Sequence, residues 1–358
     1  MNILKTIPQT DYSLTYDDVL LVPQRSSIKS RFSNEINLST KLLPNLELRY
    51  PIISANMDTI TEHILAISLG KLGGLGIIHR FLSLEQHKEE LLKIKKEELY
   101  TVACIGVGDS EFKRLEYLEP FELSKAVLID IAHGHSDSMI EQIKKIKKRY
   151  SNLPIIAGNV ATYEGVKDLI KAGANCVKIG CGGGSLCSTR INTGNGMPQL
   201  SAIYLGVQAI NDFCNENNVE NRPTLIADGG IKNSGDIVKS LAIGAQAVML
   251  GGLFAGTTET PGEVKVNKEL GLVKMFRGMA SREAQQDWKG SVSSIEGELT
   301  IVPARGSADQ IFKGLIAGIR SGMSYQDARN LKELQENAVF VIQTAAGYRE
   351  STPHGLLK

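Results

Sequence analysis

Eight short apolar runs recur along the chain, with helical patterns between them. They are PIISA (51–55), LGIIH (75–79), TVACIG (101–106), AVLID (126–130), PIIAG (154–158), CVKIG (176–180), TLIAD (224–228) and AVMLG (247–251). Rich in Val, Ile and Leu and without polar alternation, they read as strands buried on both faces of a parallel sheet. Amphipathic stretches such as EQHKEELLKIKK (85–96), HSDSMIEQIKKIKKRY (135–150) and YEGVKDLIKAG (163–173) lie between them. Eight βα units predict an α/β fold of the closed (β/α)8 type, a TIM barrel; a doubly wound open sheet is the alternative. Residues 282–301 are polar, hold two glycines and several serines, and show no sustained helix or strand period. They predict a mobile lid, a flap over about 279–303.

At 358 residues and 42% hydrophobic, the chain can bury one large core. The expectation is a single barrel domain over 1–358 with an N-terminal extension and a C-terminal tail. Lys plus Arg (40) nearly balances Asp plus Glu (39), which argues against a polyanionic partner such as nucleic acid. The basic run KKIKKR (144–149) is read as a solvated helix face. Five cysteines form no CxxC pair and no secretory signal precedes them, so a reducing cytoplasm is expected. No apolar run reaches membrane-span length, so no membrane is expected either.

Polar residues cluster just after the predicted strands. Ser54, Asn56 and Met57 lie at the first and Arg80 after the second. Asp130, with Ala132, His133 and His135, ends the fourth, and Asn159 follows the fifth. Gly180 opens the loop after the sixth; Asp228, Gly229 and Gly230 end the seventh; Gly251 and Gly252 follow the eighth. In a barrel these ends converge on one face, where active sites form. The late glycines, with Ser185, predict a phosphate cup made of backbone N–H groups, and Asp228 is placed to bind a ribose diol. A nucleoside or sugar monophosphate follows as substrate. The histidines of HGH (133–135) lack a ligand set for a transition metal and are read as orienting Asp130 or bonding backbone. GCGGGSLCSTRINTGNGMPQ (180–199) places Cys187 in a glycine-rich loop whose N–H groups supply positive potential, which suits a nucleophile.

Together these motifs resemble the IMP dehydrogenase / GMP reductase family. The resemblance runs from LTYDDVLLVP (14–23) through SANMDTIT (54–61), DIAHGHS (130–136), AGNVAT (157–162) and GGGSLCSTR (182–190). It continues through ADGGIKNSGDI (227–237), VMLGGLFAGT (248–257) and RGMAS (277–281). It implies purine nucleotide substrates, a nicotinamide cofactor and a covalent thioimidate between Cys187 and purine C2. Gly278 and Met279 would lie at the base, and Asp130, Ala132, Asn159 and Gly180 would line the cofactor side. A homotetramer is implied, with Glu350-Ser351 reaching a neighbouring subunit. A K+-type ion on Gly182, Gly184 and Cys187 is implied as well.

The flap and the stretch STRINTGNGMPQLSA (188–202), closer to the reductase pattern, favour the reductase branch; the missing regulatory insert does not by itself set the chemistry. The dehydrogenases carry regulatory CBS modules after the second strand, and residues 80–100 leave no room for them. Their flap also holds an Arg-Tyr pair that activates water, whereas no tyrosine stands between Gly278 and Pro303. The reductases use a threonine and a flap glutamate to release ammonia, matched by Thr189 and Glu296, and relay protons through an aspartate matched by Asp130. Their relay lysine is Arg80 here, and a guanidinium does not shuttle protons. The expectation is an NADPH-dependent GMP reductase. The alternatives are an NAD-dependent IMP dehydrogenase without CBS modules, favoured by the tail TAAGYRESTPH (344–354), and a non-catalytic nucleotide-binding regulator.

Overall fold

A computed structural model describes residues 12–351 except 33, 218 and 220. The apolar runs form eight barrel strands: β1 (Ile52–Ser54), β2 (Leu75–Gly76), β3 (Val102–Ile105), β4 (Ala126–Asp130), β5 (Ile155–Val160), β6 (Cys176–Ile179), β7 (Thr224–Asp228) and β8 (Ala247–Leu250). Every pairing is parallel, and the ladder runs β2-β1-β8-β7-β6-β5-β4-β3, so the last strand lies beside the first. That cyclic order is the (β/α)8 barrel; an open doubly wound sheet would not join β8 to β1. β2 is the shortest strand. A Cβ at its Gly76 would stand 2.3 Å from Ala66 Cα, because helix His63–Leu72 packs directly against it.

Alternation along the strands divides the core into two layers. Ala103, Ile105, Val127 and Ile129 face the surrounding helices, while Val102, Cys104, Ala126 and Leu128 fill the barrel. A hairpin, Thr40–Leu43 with Leu46–Leu48, adds Leu42, Leu43 and Leu48 to the inner layer. Thr224, at the start of β7, donates to the Leu42 carbonyl at 2.6 Å, so the hairpin plugs the amino end. The opposite end is left for polar residues. Lys178, Asp130 and Asp228 continue the inward parity of Cys176, Leu128 and Ile226, and they therefore point into that mouth.

Two further sheets lie outside the barrel. Val19–Leu21 pairs with Phe340–Ile342, tying the N-terminal extension to the C-terminal region. Lys265–Asn267, Gly271–Arg277 and Leu299–Pro303 form an antiparallel sheet whose last two strands bracket the flap. The flap is not free of regular structure, which corrects the expectation from its sequence. Arg282–Lys289 is a helix, N-capped by Ser281 and ended by Gly290 at φ 67°. At eight residues it is too short to build a periodic signal, and only its caps mark it. No described helix is long and apolar enough to cross a membrane.

Candidate active site

Lys178 is the centre of the mouth, and sequence reasoning missed it. It is 3% exposed, and its ammonium lies 2.8 Å from Asp130 Oδ1 and 2.7 Å from Asp228 Oδ2. It also donates to Asn159 Oδ1, whose own amide donates to Asp228 Oδ2 and to the Gly180 carbonyl, each at 3.0 Å. Asn56 closes the cluster by donating to Asp130 Oδ2 at 3.0 Å. The ladder sets Asp130 opposite Gly158 and Gly158 opposite Lys178. A Cβ at Gly158 would press within 2.7 Å of Lys178 Cβ, so glycine there leaves room for the lysine. Burial alone would neutralise the ammonium, but the two carboxylates more than offset it and raise its pKa. Burial likewise pushes Asp130 up, and Lys178, Asn56 and Arg80 outweigh it and hold the carboxyl below its usual range.

Of the two readings for His133 and His135, the one in which they orient Asp130 is not met: neither bonds it among the described residues. His135 Nε2 lies 3.1 Å from Asp168 on the neighbouring helix, and Asn56 and Lys178 hold the aspartate instead. No group of His, Cys, Asp or Glu among the described residues could hold a metal. Arg80 stacks its guanidinium 4.7 Å from the centre of the Phe81 ring, and its buried Nε has no hydrogen-bond partner among the described residues. Ser54 is fully buried and bonded to Thr61 at 2.9 Å, so its hydroxyl does not reach the cleft. Ala132 is exposed at the rim.

Cys187 belongs to a second cluster. Its thiol donates to Thr189 Oγ1 at 3.1 Å, and that hydroxyl donates to Glu296 Oε2 at 2.8 Å. Ser294 donates to the other carboxylate oxygen at 3.2 Å. Backbone bonds dock the flap on the cysteine loop: Ser188 N–H to the Glu296 carbonyl at 3.0 Å, and Glu298 N–H to the Leu186 carbonyl at 2.9 Å. A Cβ at Gly278 would lie 3.1 Å from Gly297 Cα, so the two segments approach closely because both residues are glycine. Met279 Sδ accepts from Asp58 N–H at 3.3 Å. Cys104 and Cys176 are fully buried, which pushes the first thiol up beside Asp130 and the second up to about 12. Neither suits a nucleophile.

The glycines after β6, β7 and β8 meet at one place. Gly229 (φ 103°) and Gly230 (φ 76°) hold left-handed conformations, and Cβ atoms there would stand 3.3 Å from Gly184 N and 3.5 Å from the Tyr16 ring. A Cβ at Gly252 would lie 3.2 Å from Ser185 Oγ, and one at Gly251 3.3 Å from Met57 Sδ. Ser185, Gly230, Gly251, Gly252 and Met57 are thus gathered beside the cysteine loop. Arg190 bonds the Cys181 carbonyl at 3.1 Å, also reaches the Met197 carbonyl, and so fixes that loop's base.

Comparison with known proteins identifies the family. A family model for the IMP dehydrogenase / GMP reductase domain matches residues 13–354. The inosine-5'-monophosphate dehydrogenase of Borreliella burgdorferi is 37% identical, covering 96% of this chain and 97% of its own length. The enzyme of that name from Aquifex aeolicus is 35% identical, with 95% of each chain covered. Among solved structures, a GMP reductase from Trypanosoma brucei, a cysteine-to-alanine variant in complex with guanosine 5'-monophosphate, superposes with a TM-score of 0.87. It is 29% identical and covers 100% of both chains. The chain belongs to the IMP dehydrogenase / GMP reductase family of oxidoreductases.

Proposed function

We propose that this protein is a GMP reductase, converting GMP and NADPH to IMP, ammonia and NADP+. The observation that carries the reading is the continuous hydrogen-bonded run from Cys187 through Thr189 to Glu296. Through it the thiol proton passes to the Glu296 carboxylate as the sulfur adds to purine C2. The same carboxyl, now protonated, returns that proton through Thr189 to the departing amino group. Met279 and Glu296 read the purine edge, and Asn56 and Met57 pack near the base. Asp228 binds the ribose, and Ser185, Gly229, Gly230, Gly251 and Gly252 hold the phosphate.

The nicotinamide cofactor, when bound, supplies the hydride that C2 receives. Asp130, Ala132, Asn159 and Gly180 would hold it, and the unpartnered Nε of Arg80 beside Asp130 fits a polar ligand there. Lys178, held between its two carboxylates, orients Asp130. A K+-type ion would take the carbonyls of Gly182, Gly184 and Cys187. These neutral oxygens, with no carboxylate among them, suit a monovalent better than a divalent ion. We further propose one barrel domain over 1–358 that assembles as a homotetramer, a state light scattering reads directly.

The names of the curated relatives favour a second reading, an IMP dehydrogenase using NAD+. Hydride would then leave C2 for NAD+, and water would displace the Cys187 sulfur from C2, with Thr189 or Arg282 as its base. Two cuvettes separate the readings. GMP with NADPH should lose absorbance of the reduced cofactor, while IMP with NAD+ should stay flat. The reverse pattern would overturn the reductase assignment, and binding without turnover in either would indicate a regulator.

A further inference from the structure

The flap helix Arg282–Lys289 carries two side chains, Gln285 and Trp288, that lie three positions apart and so share a helix face. The Trp288 ring meets Phe81 edge-on, with centroids 5.4 Å apart and planes at 72°. The Arg114 guanidinium lies 5.7 Å from the same ring. Arg114 is 5% exposed and donates to the Leu82 carbonyl at 2.9 Å, so it is a fixed anchor on the barrel. Next to Trp288, Asp287 accepts from Arg277 at 2.6 Å, and Arg277 also binds Asp58.

Gln285 is 6% exposed, and both ends of its amide are engaged. Its Nε2 donates to the Ala280 carbonyl at 3.0 Å and the Ser294 carbonyl at 2.6 Å. Its Oε1 accepts from Ser293 N–H at 3.0 Å and from the Ser293 hydroxyl at 3.1 Å. Ser294 then bonds Glu296, whose N–H donates to the Ala280 carbonyl at 3.1 Å. Contacts therefore run without a break from Phe81 and Arg114 on the barrel to the Glu296 carboxylate.

We propose that Trp288 and Gln285 are positioning residues. Trp288 latches the flap helix onto Phe81 and Arg114, and Gln285 passes that docking to the 293–296 stretch so that Glu296 meets Thr189 over Cys187. The inference rests on the flap role assigned above but holds for either direction of the reaction.

Trp288 is the only tryptophan in the chain, so its fluorescence reports the latch directly. Phe81→Ala should shift its emission to the red. Trp288→Ala should lower turnover by roughly five- to thirtyfold, the scale of one aromatic pair plus one cation–π contact. Binding of GMP should change by less than about twofold, because the phosphate cup is untouched. Alkylation of Cys187 by iodoacetamide, followed on its own peptide by mass spectrometry, should speed up by a similar factor. Trp288→Phe should restore most of the turnover. Emission and alkylation need no turnover, so they decide the latch even if neither GMP nor IMP is a substrate. Where Trp288→Ala fails to fold, Phe81→Ala makes the same test from the barrel side. Turnover and Cys187 reactivity both within twofold of the parent would overturn the proposal.

Discussion

Lys178 and Cys187 lie on consecutive stretches of chain, one in a barrel strand and one in the loop that follows, and they are held by opposite means. Lys178 is fixed by the sheet: the ladder sets it level with Asp130 across Gly158 and with Ile226 on β7. The next inward residue of β7, Asp228, therefore stands just above it, and the ammonium lies between the two carboxylates. Cys187 is fixed by docking: Thr189 is local to it, but Glu296 arrives from a flap far along the chain. The first cluster cannot move without unpairing buried charges, which is costly. The second can open by breaking a few hydrogen bonds and one aromatic contact. Binding geometry is thus built into the strands, and the reacting groups ride on segments free to admit a ligand.

The sharpest way to test this division is to remove a single reacting group. Cys187→Ala should abolish turnover, by three orders of magnitude or more as for other lost nucleophiles. GMP or IMP should still bind, as calorimetry can verify, because Asp228 and the glycine cup are intact. A 6-chloropurine nucleotide should place one adduct on the parent protein, on the Cys187 peptide, and none there in the variant. Near-normal activity of Cys187→Ala would sink the nucleophile assignment and the mechanism with it.

Lys178→Met attacks the other cluster and should cost stability instead, roughly 3–5 kcal/mol, as when one partner of a buried ion pair is removed. The pH dependence should change sign as well. In the parent, the Asp130 pKa lies below its unfolded value, so its stabilisation is present above the usual carboxylate range and is lost as pH falls through the folded value. Without the ammonium, burial dominates and the folded pKa rises. Lowering the pH from about 6 to 4 should then narrow the Tm gap between variant and parent. Protonation of Asp130 helps the variant in that window, while the parent's contribution is still present and fades only at lower pH. Parallel Tm profiles would mean that Lys178 does not govern Asp130.

The same contrast explains what could be read in the sequence. The eight strands were legible because doubly buried strands are uniformly apolar, and strand ends announced Asn56, Asp130, Asn159 and Asp228 as neighbours. Cys187 stood out in its glycine-rich loop, whereas Thr189 and Glu296 came from the resemblance to a family; nothing in spacing alone joins residue 296 to residue 189. Lys178 was missed because it hides inside CVKIG, yet a signal existed. A lysine within a buried strand must be paired, and Asp130 and Asp228 were the strand-end carboxylates available to it. The flap helix was marked only by Ser281 and Gly290 at its ends. Pairing of Val19–Leu21 with Phe340–Ile342 left no local trace, because short strands carry no record of a distant partner.

A smaller effect sharpens the flap side. Glu296→Gln keeps shape and the hydrogen bond from Thr189 but cannot take a proton. Turnover should fall about a hundredfold, the usual scale of a general acid–base group, with nucleotide affinity nearly unchanged. Affinity and turnover falling together would reduce Glu296 to a contact with the base.

The smallest expected effect probes the phosphate cup, where the strand-end glycines and the cysteine loop touch. In Gly252→Ala the new Cβ would lie 3.2 Å from Ser185 Oγ, closer than comfortable contact but against a hydroxyl that can rotate away. The fold should tolerate the change. GMP affinity should drop only a few-fold, about 1 kcal/mol, the net worth of a typical hydrogen bond displaced by that rotation. Ser185→Ala should cost a similar amount, because it removes the same donor. The informative measurement is the double variant: if both act through the Ser185 hydroxyl, Gly252→Ala with Ser185→Ala should bind GMP about as well as either single variant. Additive losses would mean that the Gly252 backbone meets the phosphate by itself, independently of the loop that carries Cys187.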